Sequence, residues 1–253
     1  MARHRAIAAA AAAFLLLAPH AGARAAEVQL TTTIGVKSVV EALAPEYERA
    51  SGNKLAITWG LANVLKGQLE AGAAFDVTIL TAPALDALIK GGTVAAGSRT
   101  VIARSAVGLG VRKGGAKPDI ASAEAFKGAM LAAKSVCYSE KGVSGVYAAS
   151  LMDRLGIAAA MRPKTILATG DVRAEELLLD GKCEFSIQQV SEIAPVAGVE
   201  LAAPLPAELQ MITEFAAGIA AKARATEGAK AFLKFLTSPE AAKAIRAAGM
   251  EPG

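Results

Sequence analysis

The stretch Val107-Gly108-Leu109-Gly110-Val111-Arg112-Lys113-Gly114 is an apolar β-type run that ends in a basic, glycine-rich loop. On both sides of it, short β-type runs alternate with longer patterns of helical periodicity, which is typical of parallel sheets in an α/β fold. We interpret the stretch as the place where the chain crosses from one lobe into a second. A chain that leaves one lobe and later returns to it makes two crossovers, and two crossovers form a hinge.

The predicted fold is therefore α/β with two lobes, each a mostly parallel sheet flanked by helices. Lobe 1 is predicted to comprise residues 27–106 and 213–253, and lobe 2 residues 107–212, which suits the length of the chain. The predicted strands cover residues 28–33, 55–59, 75–80, 135–138, 165–168 and 183–188, with a further apolar run at 211–220. The predicted helices cover residues 38–50, 64–71, 83–90, 144–155, 172–180, 227–236 and 239–248. The last helix has Ser238 as its predicted N-cap and Pro239 at its first position.

Residues 1–26 have the pattern of a secretory signal peptide, in which basic residues precede an apolar run over residues 6–18. The run is too short to cross a bilayer comfortably, so we predict cleavage before Glu27 and a periplasmic mature protein. The leader contains three of the 27 Lys and Arg residues and none of the 23 acidic residues, which leaves residues 27–253 with a net charge of +1. No basic run interleaved with aromatic residues remains, and we predict no nucleic-acid partner.

Both histidines, His4 and His20, lie in the predicted leader. This excludes His-based catalytic pairs from the mature chain, together with the commonest ligand of zinc and copper. We predict no metal and no cofactor, and any proton chemistry falls to carboxylates, Lys, Tyr or Cys. Cys137 and Cys183 each lie in an apolar strand-like run, so a disulfide and two free buried thiols both fit the sequence.

A series of motifs follows the predicted leader. The main one is Gln-Leu-Glu-Ala-Gly-Ala-Ala-Phe-Asp-Val at residues 68–77, after a predicted helix that ends in Tyr-Glu-Arg-Ala-Ser-Gly at 47–52. Further motifs follow at residues 145–148, 155–156, 171–173 and 232–242. In type, order and spacing the series resembles the periplasmic molybdate-binding proteins, the type 2 receptors of a bacterial ABC importer. The resemblance spans nearly the whole mature chain and implies a monomer that delivers its ligand to an inner-membrane ABC permease.

The resemblance also implies a site. In that family, hydroxyl and backbone N–H groups at strand-to-helix turns of both lobes hold a tetrahedral oxyanion, as exposed amides at helix starts favour an anion. Carried over by position, the two first-lobe serines of the family fall at Gly35 and Asn63, and its tyrosine falls at Gln188. With their neighbours, the predicted ligand-binding residues are Thr33, Gly35, Lys37, Ser38, Asn63, Ser144, Gly145, Val172, Arg173 and Gln188.

The amides of Asn63 and Gln188 both donate and accept hydrogen bonds, whereas a fully ionised tetrahedral anion is satisfied by donors alone. These replacements favour a small organic anion over molybdate. We predict a solute-binding protein that captures an oxyanion or a small organic carboxylate between its lobes. The alternative is a secreted isomerase on the same scaffold, of the aconitate isomerase type, which shifts a proton within a small tricarboxylate and needs only a positioned base and acid. Its candidate catalytic residues are Lys37, Lys141, Tyr138, Tyr147 and Glu192.

Overall fold

A computed structural model describes residues 25–170 and 172–253 of the chain. They form an α/β architecture with two lobes, as predicted. Most of the predicted leader lies outside the described residues, so the signal peptide and its cleavage stay predictions. In the part of the chain that is described, no helix has both the length and the apolar character that crossing a membrane requires.

Lobe 1 begins with three parallel strands that alternate with helices. The strands are β1 (Glu27–Thr33), β2 (Lys54–Gly60) and β3 (Val77–Thr81). The helices that follow them are α1 (Lys37–Ser51), α2 (Ala62–Glu70) and α3 (Ala82–Lys90). β1 lies between the other two strands, and a 3-10 turn at Ile34–Val36 joins it to α1. Because the three strands are parallel, their carboxyl ends share one edge of the sheet.

Two predicted starts in lobe 1 differ from the structure by two residues. β3 begins at Val77 rather than at residue 75, because the Asp76 carboxylate closes a loop by accepting hydrogen bonds from the backbone N–H groups of Gln29 and Arg224. α2 begins at Ala62, two residues earlier than predicted. The earlier start places Asn63 in the first turn of α2.

Two long strands connect the lobes: β4 (Thr100–Arg112) and β9 (Ile212–Ile219). In the second lobe, β7 (Phe185–Gln189) and β8 (Val199–Pro204) pair with β4. Up to Ala106, β4 pairs antiparallel with β9, which in turn pairs with β3. From Val107 onward, β4 pairs antiparallel with β7 and β8 instead. The change of partners falls at the start of the stretch that the sequence marks as the crossing, while the lobe limits at residues 106 and 212 stay a prediction.

Lobe 2 repeats the alternation of strands and helices. Its remaining elements are α4 (Ala123–Ala132), β5 (Val136–Ser139), α5 (Val143–Arg154), α6 (Ala158–Met161), β6 (Thr165–Ala168), α7 (Ala174–Leu179) and α8 (Val190–Ile193). β5 runs parallel to both β6 and β7, in the order β4-β7-β5-β6. The helix predicted from residue 172 begins later, with Arg173 as its N-cap, so Arg173 precedes the helix instead of lying inside its first turn.

The C-terminal segment returns to lobe 1, as the predicted architecture requires. It consists of α9 (Thr226–Leu236), α10 (Pro239–Ala247) and β10 (Glu251–Pro252). The Phe232 ring of α9 packs edge-on against Tyr47 of α1 at 4.9 Å, and the Tyr47 hydroxyl donates to the Gly228 carbonyl. Ser238 caps α10 as predicted, since its Oγ accepts from the Ala241 N–H.

The two cysteines form a disulfide, which resolves the alternative that the sequence leaves open. Cys137 lies in β5 and Cys183 lies just before β7, with their Cα atoms 5.8 Å apart. Both are buried in an apolar cluster with Ala174 and Leu178. The bond ties together the two parallel strands that lead toward the other lobe.

Candidate functional site

A narrow cavity of about 40 Å³ lies between the lobes, at the carboxyl ends of β1, β3, β5 and β7. Its lining residues are Thr33, Ile34, Gly35, Leu61, Ala62, Asn63, Thr81, Ser139, Lys141, Gly142, Val143, Ser144, Gln188, Gln189, Glu192, Thr213 and Phe215. Ligands of open α/β sheets bind outside the carboxyl ends of parallel strands, so the position is that of a ligand site.

Lobe 1 supplies turns that follow its parallel strands. Thr33 ends β1, Thr81 ends β3, and the first turn of α2 adds Ala62 and Asn63. Gly35 belongs to the 3-10 turn after β1, and a Cβ there would lie 2.7 Å from the Phe215 ring. A side chain at this position would therefore displace the wall of the cavity.

Lobe 2 supplies the turns that follow β5 and β7. Lys141 and Gly142 lie in the loop between β5 and α5, Ser144 lies in the first turn of α5, and Gln188 and Gln189 end β7. Some side chains of this wall are held by hydrogen bonds to other lining residues.

Close backbone packing explains the glycine that follows Ser144. A Cβ on Gly145 would fall inside the van der Waals radius of the Ser139 carbonyl oxygen, at 1.7 Å. Gly145 itself is buried in α5 and does not line the cavity. Its role here is to let the loop close onto the helix.

Six of the polar lining residues are almost completely buried: Thr33, Thr81, Ser144, Gln188, Gln189 and Thr213. The Ser144 hydroxyl donates to Gln188 Oε1 at 2.5 Å, and Gln189 Nε2 donates to Thr213 Oγ1 at 2.6 Å. Among the described residues, Gln188 Nε2 has no acceptor and the buried Gln189 Oε1 has no donor. The wall therefore presents one unused amide donor and one unused amide acceptor.

The helices that begin at the cavity without a side-chain cap include α2 and α5. α2 follows Leu61 and α5 follows Gly142, neither of which offers an acceptor, and neither first turn contains an acid. The first N–H groups of a helix have no partner within it, and the helix dipole makes this end positive. Such helix starts are anion-binding elements, and here one comes from each lobe.

Two ionisable side chains line the cavity. Lys141 is exposed and has no ion-pair partner in the described part of the chain. Burial, assisted by the nearby Glu175 carboxylate and opposed by Arg173, raises the pKa of Glu192 to about 8. At neutral pH Glu192 is therefore mostly a neutral acid, and Lys141 gives the cavity a positive balance.

Behind Glu192 lies a second buried carboxylate. Glu175 is 2% exposed, and burial raises its pKa against the opposing charge of Arg173. Arg173 Nη2 lies 3.4 Å from a Glu175 oxygen and also 3.4 Å from the Glu192 carbonyl oxygen, to which it donates. Arg173 therefore supports the wall from outside the cavity.

The lobes contact each other directly beside the cavity. The Ser191 hydroxyl of α8 donates to the Gly35 carbonyl at 2.8 Å, and Ser191 is itself buried. Gly35 and α8 belong to opposite predicted lobes, so this hydrogen bond joins them beside the cavity.

The structure brings several predicted residues together at this cavity. Of the predicted ligand residues, five line it: Thr33, Gly35, Asn63, Ser144 and Gln188. Of the candidate catalytic residues, Lys141 and Glu192 line it.

Other predicted residues lie elsewhere. The Lys37 ammonium sits 5.7 Å from the Trp59 ring centre and 3.7 Å from Glu41. Tyr138 is buried in the lobe 2 core, and the Tyr147 hydroxyl donates to the Leu209 carbonyl.

The remaining predicted ligand residues also lie outside the lining: Ser38, Gly145, Val172 and Arg173. Ser38 lies in α1 with its Oγ buried and unpaired among the described residues, while Val172 is exposed.

Four polar lining residues were not predicted: Thr81, Ser139, Gln189 and Thr213. The strand-end rule could have indicated Thr81, because it ends a parallel strand. Thr213 lies on antiparallel β9, whose register the sequence does not specify. Phe215, also on β9, closes the apolar side of the cavity.

The described residues contain no cluster of three or more His, Cys, Asp or Glu side chains that could hold a metal ion. The cavity offers amides, hydroxyls, backbone N–H groups, one ammonium and one carboxyl group. This is the chemistry of a site that holds a small polar or anionic molecule.

Comparisons with known proteins agree with this geometry. Residues 28–251 match a family model described as bacterial extracellular solute-binding protein. The chain is 31% identical over 227 residues to an aconitate isomerase of Pseudomonas sp, covering 86% of this chain and 85% of that protein. It is 25% identical over 235 residues to the molybdate-binding protein ModA of Azotobacter vinelandii, covering 90% of each. The solved Azotobacter vinelandii periplasmic molybdate-binding protein superposes with a TM-score of 0.73 at 19% identity, over 88% of this chain and 98% of that one.

Proposed function

This chain belongs to the bacterial extracellular solute-binding proteins, and we propose that it captures a small anion in the cavity between its lobes. The observation that carries the proposal is the convergence of two uncapped helix starts, one from each lobe, on a cavity walled by buried polar side chains. Polar groups in such a space are normally paired, so a set of donors without partners that faces one small cavity supports the binding of a ligand there. Lys141 adds the positive charge that favours an anion.

Capture works through closure of the lobes. Asn63 and the start of α2 lie on one side of the cavity, while Ser144, Gln188 and the start of α5 lie on the other. A ligand touches both sets only when the lobes are closed, so it binds the closed form better and shifts the population toward it. The antiparallel strands β4 and β9, which connect the lobes, are the hinge.

The cellular setting of the proposal follows from the leader and the family. The predicted signal peptide at residues 1–26 supports a periplasmic location for the mature chain. There the closed monomer would deliver its anion to an inner-membrane ABC permease, as proteins of the ModA type do. No cofactor, metal or nucleic acid takes part in this function.

Titration calorimetry on the mature chain tests anion capture. We expect one site per chain for an oxyanion or a small carboxylate among molybdate, sulfate, succinate and malate. A ligand at 100 times its Kd also raises the free energy of unfolding by roughly 2.7 kcal/mol.

The Lys141→Met variant should bind that anion about tenfold more weakly, because it removes the charge at the rim, worth about 1.4 kcal/mol. Lys243→Met, at an exposed position of α10, is the matched control and should bind like the wild type. If none of these anions binds to the wild type in calorimetry or raises its thermal stability, anion capture by this cavity is wrong.

A second candidate function is supported by a separate observation. The aconitate isomerase relative is 31% identical over most of both chains, and the cavity holds two groups able to exchange protons, Lys141 and Glu192. A carboxyl group whose pKa lies near 8 is suited to proton transfer close to neutral pH. In this proposal, one group removes a proton from a methylene carbon of a tricarboxylate, the double bond shifts, and a proton is returned at the other end of the allylic unit. The remaining candidates Lys37, Tyr138 and Tyr147 lie outside the cavity lining.

Proton NMR of cis- and trans-aconitate incubated with the protein in deuterated water separates the two functions. Interconversion or deuterium incorporation that is lost in Glu192→Gln would support an isomerase. Binding of an anion with neither change supports a receptor and removes this substrate from consideration.

A further inference from the structure

The cavity has more hydrogen-bond donors than its own residues have acceptors to pair with them. Gln188 Nε2, the Asn63 amide and Lys141 have no acceptor among the described residues, and the starts of α2 and α5 add backbone N–H groups. A negatively charged ligand satisfies all of them. Donors alone would suit any anion, including a fully ionised tetrahedral one.

The cavity also contains a buried acceptor that such an anion leaves unsatisfied. Gln189 is 3% exposed and lines the cavity, and its Nε2 is held by the Thr213 hydroxyl at 2.6 Å. Its Oε1 is buried and receives no hydrogen bond from the described residues. An unpaired buried acceptor is unfavourable, so this oxygen calls for a donor, and Gln189 is one of the residues that line the ligand space.

Glu192 is a second lining residue, besides Gln189, whose side chain can both donate and accept hydrogen bonds. It lines the cavity and is half-buried. Burial first, and then the Glu175 carboxylate, raise the pKa of Glu192 to about 8, against the effect of Arg173. In its neutral form a carboxyl group donates one hydrogen bond and accepts others, so it does not repel an anion and it can accept a hydrogen bond from a hydroxyl group.

We infer that the ligand is a small hydroxycarboxylate, whose carboxylate faces the helix starts and Lys141 while its hydroxyl donates to Gln189 Oε1 beside Glu192. This inference rests on the proposed anion capture and narrows it to one chemical class. The specificity for a hydroxyl group resides in Gln189, which distinguishes it from the donors that hold the charge.

Matched pairs of ligands test the inference by titration calorimetry on the mature wild-type chain. Malate and succinate differ only by a hydroxyl group, as do citrate and tricarballylate; molybdate and sulfate represent the donor-satisfied oxyanions. We expect at least one hydroxylated member to bind ten or more times more tightly than its partner, and more tightly than either oxyanion. A site that pairs a ligand hydroxyl disfavours the analogue without it, because its own buried group is then left unpaired.

The Gln189→Met variant removes the acceptor while keeping a side chain of similar length. It should bind the two members of the preferred pair with nearly equal affinity, whereas Gln68→Met, at an exposed position of α2 outside the cavity, should keep the wild-type ratio.

Equal wild-type affinities within both pairs would mean that Gln189 presents its nitrogen to the ligand, and would overturn the inference. Tighter binding of molybdate or sulfate would overturn it too, and in both cases anion capture would stand. If nothing in the panel binds, the proposed function fails together with the inference.

Discussion

Two pairs of helices in this protein differ in how they begin. α4 and α10, which begin away from the cavity, have serine N-caps at Ser122 and Ser238, and each has a glutamate in its first turn. α2 and α5 begin at the cavity, and their N-caps Leu61 and Gly142 provide no side-chain acceptor and no first-turn acid.

A serine cap contributes about 1 kcal/mol to a helix. α2 and α5 lack that local stabilisation, and their first N–H groups and positive dipole ends remain available to a ligand. We interpret the ligand as the group that caps both of them at once. α2 and α5 thus leave free N–H groups at the cavity where a ligand could accept from them, whereas α4 and α10 use theirs for serine caps.

The largest effect is expected from giving α2 the acid that its first turn lacks. Asn63→Asp keeps the shape of the side chain and places a negative charge at the helix start. We expect anion affinity to fall by about 100-fold, or about 2.7 kcal/mol, since a like charge now faces the ligand. Thermal unfolding without ligand should change little, because an acid near a helix start is stabilising by about 0.3–1 kcal/mol.

The control for Asn63→Asp is Thr226→Asp, which adds the same charge to the first turn of α9, away from the cavity. Its anion affinity should equal that of the wild type in the same calorimetric titration. A similar loss in both variants would mean that net charge, and not the position of the helix start, governs binding.

The contact between the lobes should give the next largest effect. Ser191→Ala removes the hydrogen bond to the Gly35 carbonyl and leaves that buried oxygen unpaired, which costs about 1–3 kcal/mol in the closed form. Affinity for the anion should fall by about tenfold, and small-angle scattering should show a more open shape without ligand. Ser186→Ala is the matched control, because the buried Ser186 hydroxyl has no partner within the described residues. Equal effects of the two substitutions would rule out the contact as a stabiliser of closure.

α8 also begins at the cavity, and it sharpens the comparison because Glu192 lies in its first turn. The folded pKa of Glu192 is about 8, above the ordinary value of 4.5, so between these pH values the folded chain holds a proton that the unfolded chain has released. The contribution of Glu192 to the free energy of unfolding should therefore be complete below pH 4.5 and should be lost as the pH rises toward 8, by at most about 1.4 kcal/mol per pH unit for one proton.

Urea denaturation at a series of pH values measures this slope. Glu192→Gln should flatten it between pH 4.5 and 8, leaving a remainder from Glu175, whose pKa burial also raises. Glu140→Gln, at an exposed position, should keep the wild-type slope. An unchanged slope in Glu192→Gln would show that Glu192 is ionised in the folded protein at neutral pH.

The smallest effect concerns the helices away from the cavity. Ser238→Ala removes the α10 cap and should lower the free energy of unfolding by about 1 kcal/mol in urea denaturation. Anion affinity should not change, because α10 lies outside the cavity lining. A loss of affinity would contradict the separation of the two kinds of helix start.

Much of this architecture can be read from the sequence, because alternating β-type and helical runs specify parallel strands. The order of motifs from residue 47 to 242 indicates the family, and the same resemblance points to Gly35, Asn63, Ser144 and Gln188, which line one cavity in the structure. These residues follow strand ends, and strand ends are visible in a sequence. The lobe limits and the ligand roles of these residues stay predictions.

The sequence does not predict features that depend on strand register or on the direction in which a side chain points. Tyr138 and Ser139 are neighbours at the end of β5, yet their side chains alternate, so Tyr138 enters the core while Ser139 lines the cavity. Thr213 reaches the cavity through the antiparallel pairing of β4 with β9, in which Ser105 lies opposite it. A sequence pattern gives no information about which residues of distant strands face each other.

The disulfide between Cys137 and Cys183 can form only after the chain has been synthesised. A chain newly made in reducing surroundings carries two separate thiols, and it lacks the covalent tie between the strands that end at Ser139 and Gln189. Oxidation adds this tie only after synthesis, and cross-linking removes freedom from the unfolded chain. The covalent tie beside the cavity wall is therefore present only after the two thiols have been oxidised.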